Sequence, residues 1–67
     1  LKREMLSKMR KDLGTQAQVA SQIGISTVYL RMIENGTFTP GRDLMFKFEK
    51  FFDRDVEILF PDYFKQN

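Results

Sequence analysis

The sequence predicts an all-α domain of five helices. No stretch alternates apolar and polar residues with the period of two that a half-buried strand needs. Instead, apolar residues recur at three- and four-residue steps, and glycine, proline or cap-forming side chains stand at the segment ends.

The first helix spans residues 2 to 12, where Met5, Leu6, Met9 and Leu13 form an apolar face among Lys, Arg, Glu and Ser, and Gly14 is placed to end it. The second, residues 15–23, opens on Thr15-x-x-Gln18, a capping box in which hydroxyl and amide satisfy each other's orphan backbone donors. Val19, Ala20 and Ile23 form its buried stripe, and Gly24 lets the chain leave it. Ser26 then caps a third helix, residues 26–35, with Leu30 and Ile33 inward and Thr27, Val28, Arg31 and Met32 on the opposite face. After a breaker-rich loop over residues 36–41, Arg42 to Phe52 read as a fourth helix, with Asp43 in its first turn suiting the dipole. Asp55 is placed to cap a short fifth helix, Val56 to Phe60, which Pro61 stops. Tyr63 and Phe64, in the tail Asp62 to Asn67, are expected to fold back on the body.

Size and composition bound what such a chain can do. A domain of 67 residues is near the lower limit for a single core, since a chain this size buries only about 60% of the surface its unfolded form exposes. With no cysteine and no histidine, neither disulfides nor a usual zinc site can supplement that core, and there is no His or Cys for acid–base or nucleophilic work. No glycine-rich phosphate loop or metal-spaced carboxylate cluster is present, so the expectation is a non-enzyme without cofactor, metal or small-molecule substrate. No apolar run approaches the ~20 residues of a membrane span. The chain starts at Leu1 rather than methionine, so residues 1–67 read as one domain trimmed from a longer chain. The net charge is +2, unevenly spread: residues 1–36 carry six basic against three acidic side chains, and residues 37–67 five against six. The basic half contains the second and third helices, where a phosphate-facing surface needs it.

Two helices meeting across a short glycine turn form a helix-turn-helix. The residues Leu13-Gly14, Thr15-Gln16, Val19-Ala20, Ile23-Gly24-Ile25-Ser26, Leu30 and Ile33-Glu34-Asn35-Gly36 resemble the phage-repressor/Cro-type, or XRE-like, helix-turn-helix family. Pro40, the fourth helix and Val56 to Phe60 continue the likeness over nearly the whole chain. The resemblance implies a compact five-helix bundle of the lambda-repressor-like type. It also implies operator binding on double-stranded DNA, often as a dimer.

Position by position, it implies that Gln16 contacts a phosphate beside the helix N-terminus. Thr27, Val28 and Met32 would face base edges, with Arg31 reaching a base or a phosphate, and Ser26 and Tyr29 offering hydroxyls to phosphate oxygens. Arg10 and Glu34 match the family's interhelix ion pair, a scaffold element. Three departures stand out. Gly14 runs directly into Thr15, where most members have one more apolar residue. The loop Thr37-Phe38-Thr39 is neutral where members often carry Lys or Arg, so phosphate grip there falls to backbone N–H groups and hydroxyls such as Thr37's, with Arg42 the nearest charge. Arg42 and Arg54 stand where apolar residues are common, and Asp53 where glycine is frequent.

Each position has a plainer reading. Val28 and Met32 contact thymine methyl groups or are ordinary surface apolar residues. Arg31 pairs with guanine, grips a phosphate or stays solvated, and Gln16 is a phosphate ligand or simply exposed. Phe48, Phe51, Phe52 and Phe60 read as core, whereas Phe38, Phe46, Tyr63 and Phe64 exceed what so small a core can hold. Exposed together, those four would form an apolar patch suited to a homodimer through the C-terminal half. The expected function is a sequence-specific transcriptional regulator, a bacterial or phage repressor that acts in the cytoplasm at the nucleoid and reads the major groove with the third helix. The rival is an antitoxin-like or adaptor protein-interaction module on the same fold.

Overall fold

The computed structural model describes residues 2–64. Six helices follow one another: α1 Glu4–Leu13, α2 Gln16–Ile23, α3 Thr27–Glu34, α4 Arg42–Phe52, α5 Val56–Leu59 and α6 Pro61–Phe64. The all-α class stands, with one helix more than the five expected. Pro61 does end α5, but it also opens α6, because its missing N–H falls at a first-turn position where no intrahelical partner exists.

The short helices owe their ends to caps. Thr15 Oγ1 accepts from the Gln18 backbone N–H at 3.1 Å while the Gln18 side-chain oxygen accepts from the Thr15 N–H at 2.9 Å, closing the capping box. Gly24 closes α2 in the left-handed region at φ 97°, and Ser26 then caps α3 by accepting from the Tyr29 N–H at 3.0 Å. Asp55 stands at the N-cap of α5, but its side chain makes no capping bond.

The helices wrap around Phe48. Leu6, Val19, Leu30, Ile33, Phe48, Leu59 and Phe60 are fully inaccessible, so every helix from α1 to α5 gives at least one side chain to a common core. The Phe48 ring lies 5.9 Å from Phe52 and 5.6 Å from Phe60, in tilted arrangements favourable for aromatic pairs. Phe51 is only half-buried, edge-on to Phe52. The radius of gyration is 10.8 Å, against ~11 Å expected for a compact chain of this length.

One expectation about faces needs correction. On α1 the inward residues are Leu6, Ser7 and Arg10, with Met9 half-buried, whereas Met5 and Leu13 are 45% and 54% exposed. The helix is rotated toward its arginine because the Arg10 guanidinium has fixed partners inside. In the tail, α6 folds back on the body as expected: Asp62 is tied to Arg3, and Tyr63 and Phe64, paired with each other at 5.1 Å, line a groove with Met45 and Val56 while remaining exposed. Residues 65–67 of the expected fold-back lie outside the described residues.

Candidate nucleic-acid interface

The face of α3 is set by what its other side buries. Leu30 and Ile33 enter the core, and Glu34 joins them at 2% exposure. The helix period therefore turns Thr27, Val28, Arg31 and Met32 the other way. Val28 is 55% exposed, Arg31 is exposed, and Thr27 and Met32 are half-buried. Among the described residues Arg31 has no side-chain partner, so its whole guanidinium fork faces solvent. Ser26 Oγ accepts the capping bond from the Tyr29 N–H, which leaves its O–H hydrogen to donate. Tyr29 is half-buried, its ring 5.1 Å from Phe38, so it braces the following loop as well as bordering the face.

Glu34 carries a negative charge in the last turn of α3, where the helix dipole already disfavours one. Arg10 answers it through a fork: Nε donates to Oε2 at 2.7 Å and Nη2 to Oε1 at 2.9 Å. The hydrogen-bonded carboxylate holds Arg10 further into its charged form, despite an opposing desolvation effect. Arg10 Nη1 also donates to the Gly14 carbonyl at 3.2 Å, and Gln16 Nε2 donates to Glu34 Oε1 at 3.2 Å. One carboxylate thus joins α1, the start of α2 and the end of α3. Gln16, expected as a phosphate ligand, spends one amide hydrogen inside the protein and keeps the other and its oxygen for a ligand.

The loop after α3 differs from expectation. The N–H groups of Gly36, Thr37 and Phe38 all donate back to the last turn of α3: Gly36 to the Ile33 carbonyl at 3.2 Å, and Thr37 and Phe38 to Met32 at 3.0 and 3.2 Å. They are therefore not available to a phosphate, and grip at this point falls to the Thr37 hydroxyl and to Arg42. Arg42 is exposed in the first turn of α4, whose N-cap, Gly41, offers no side-chain acceptor. The first N–H groups of α4 accordingly face outward beside the Arg42 charge.

A helix-turn-helix family model matches residues 6–59. The chain belongs to the XRE-type helix-turn-helix family. No curated protein and no solved structure matches significantly. Membership makes the domain one of the DNA-binding helix-turn-helix regulators, a family typically without enzymatic activity. Among the described residues no helix is long and apolar enough to cross a membrane, and no three His, Cys, Asp or Glu side chains are grouped to hold a metal.

The helix-turn-helix also depends on Arg3, which no motif marks. Arg3 is 2% exposed, and all five of its guanidinium N–H groups are used. Nε and Nη2 hold the two oxygens of Asp62 at 2.9 and 2.8 Å; Nη1 donates to the carbonyls of Ile33 and Phe38 at 2.6 and 2.9 Å; Nη2 also donates to Thr39 Oγ1 at 2.7 Å. The Arg3 backbone N–H caps the Glu34 carbonyl at 2.8 Å, and the guanidinium lies 5.1 Å from the centre of the Phe60 ring. A signal was available: Arg3, Leu6, Ser7 and Arg10 follow the i, i+3, i+4, i+7 pattern of one helix face, which is the face that is buried.

Proposed function

We propose that this domain is a sequence-specific transcriptional regulator, a bacterial or phage repressor, that lays α3 in the major groove of operator DNA. The supporting observation is the outward face of α3, where Thr27, Val28 and Met32 accompany the Arg31 guanidinium, which has no partner among the described residues, while the opposite side is locked into the core. Val28 and Met32 suit thymine methyl groups, and Arg31 suits the O6 and N7 of guanine. Gln16, the Thr37 hydroxyl and Arg42 with the free N–H groups of α4 set the register on phosphates, and Ser26 and Tyr29 border the same contact. The cytoplasmic nucleoid is the place such a regulator works.

Selection of bound duplexes from a random pool tests this directly, since it yields the operator and its symmetry. Binding should weaken steeply with salt, by roughly one power of salt concentration for each phosphate contacted. Arg31→Ala should cost about 1–3 kcal/mol if it reads a base. Absence of salt-dependent binding at micromolar protein would reject the proposal in favour of an antitoxin-like or adaptor module.

A two-fold operator calls for two copies. Phe46 and Phe64, each about half exposed, line a groove of about 230 Å³ with Met45, Val56, Tyr63 and Arg42, and this surface supports pairing through the C-terminal half. Sedimentation of the protein with and without selected DNA tests it; a monomer in both conditions rejects the dimer.

A further inference from the structure

We propose that Arg3 is a positioning residue for DNA reading: with Asp62 as its anchor, it fixes the path of the loop from Gly36 to Gly41, and so the placement of Thr37 and Arg42 relative to α3. The inference rests on the DNA-binding reading above.

The loop's other ties hold its start, at α3 and Tyr29, and its buried Pro40. Gly36, Thr37 and Phe38 are tied by their N–H groups to the last turn of α3, which fixes how the chain leaves that helix but not where it goes next. Phe38 and Thr39 are exposed, and the Phe38 ring lies tilted against Tyr29 at 5.1 Å. What sets the loop's course is Arg3, which takes the Ile33 carbonyl at the end of α3, the Phe38 carbonyl and the Thr39 hydroxyl on a single rigid plane. A guanidinium offers donors at fixed angles, so three acceptors bound to one fork are fixed relative to each other. Pro40, buried directly after them, carries that geometry into Gly41 and the start of α4.

The fork needs an anchor of its own. A buried cation without a counter-charge is costly, and Asp62 supplies that charge with both oxygens on Nε and Nη2, at 2.9 and 2.8 Å. These two bonds also choose the rotation of the guanidinium plane, which decides whether Nη1 meets Ile33 and Phe38. A carboxylate on α6 thereby orients the loop at the far side of the fork. Lysine at position 3 would keep the charge but lose the plane.

The test compares Arg3→Lys, Asp62→Asn and Thr39→Val with the parent chain, each first checked for helical content at the working temperature. Binding of a fluorescent random-sequence duplex is then followed by polarisation across a salt series, with amide NMR shifts recorded in the free protein. The folded variants should bind about 3- to 10-fold more weakly, with the salt slope shallower by about one unit as a phosphate contact is lost. Their shift changes should extend from Gly36 into Arg42. Thr39→Val removes only the hydroxyl contact and keeps the ion pair, so it decides the matter even where Arg3→Lys fails to fold. Parent-like affinity and slope in the folded variants overturn the proposal. Failure of the parent chain itself to bind DNA overturns instead the functional reading on which the proposal rests.

Discussion

Arg10 and Glu34 meet through two parallel hydrogen bonds of 2.7 and 2.9 Å, with side chains 10% and 2% exposed, and Gln16 completes the carboxylate's shell at 3.2 Å. So enclosed a pair is worth less in net stability than its geometry suggests, because both charges have left water. Removing one partner is a different matter.

Glu34→Gln should therefore destabilise the domain by about 3 kcal/mol, since it strands the Arg10 charge. Arg10→Met should cost a similar amount. The double variant Arg10→Met with Glu34→Met should be less destabilised than either single change. Urea titrations of all four proteins check this; additive losses would show that the two side chains act independently.

Acid should weaken the closure between α6 and Arg3. The hydrogen bonds from Arg3 hold the Asp62 carboxyl below its ordinary value of 3.8, against a smaller opposing effect of burial. With the folded value lower than the unfolded one, this stabilisation is complete above about pH 4 and is lost as pH falls through the folded value. Asp62→Asn should flatten the acid limb of a stability–pH curve, and an unchanged limb would place the acid sensitivity on other carboxylates.

Asp53 ends α4 in the left-handed region, at φ 55° and ψ 47°, and is the one described residue other than glycine with positive φ. Its Cβ is disfavoured there, and its charge sits at the negative end of the helix dipole. Asp53→Gly should raise stability by about 0.5–1 kcal/mol, and Asp53→Asn by less, as read by thermal melting.

Gly14 should tolerate no side chain. At φ 153° and ψ −167° it lies in a region open essentially to glycine alone, and a Cβ would come within 2.6 Å of Gln18 Oε1. That oxygen closes the capping box of α2, so displacing it adds a lost cap to the backbone strain. Gly14→Ala should cost about 2 kcal/mol in chemical denaturation.

The sequence carried the helices because their determinants are local: Thr15 with Gln18, Gly24, Ser26, and the spacing of Val19, Leu30 and Phe48 each act within a few residues. It carried the outward face of α3 for the same reason. Arg3 was not legible as a hub because its partners lie 30 to 59 residues away, and an arginine near a chain end reads by default as solvated. The inward face of α1 departs from its hydropathy pattern, which favours Met5 and Leu13, because burial there follows the partners waiting for Arg10. The N–H groups of residues 36–38 looked free only because backbone pairing across a helix end leaves no mark on side-chain type.

The bond between Arg3 and Asp62 spans almost the full described chain and ties the residue just before α1 to α6. The bundle is therefore close to being a ring. A flexible joint leading from α6 back to Arg3, with new termini opened after the exposed Arg54 and before Asp55, would keep the helices while changing only the order in which they are made. The order of the helices along the chain would then be separable from the way they pack.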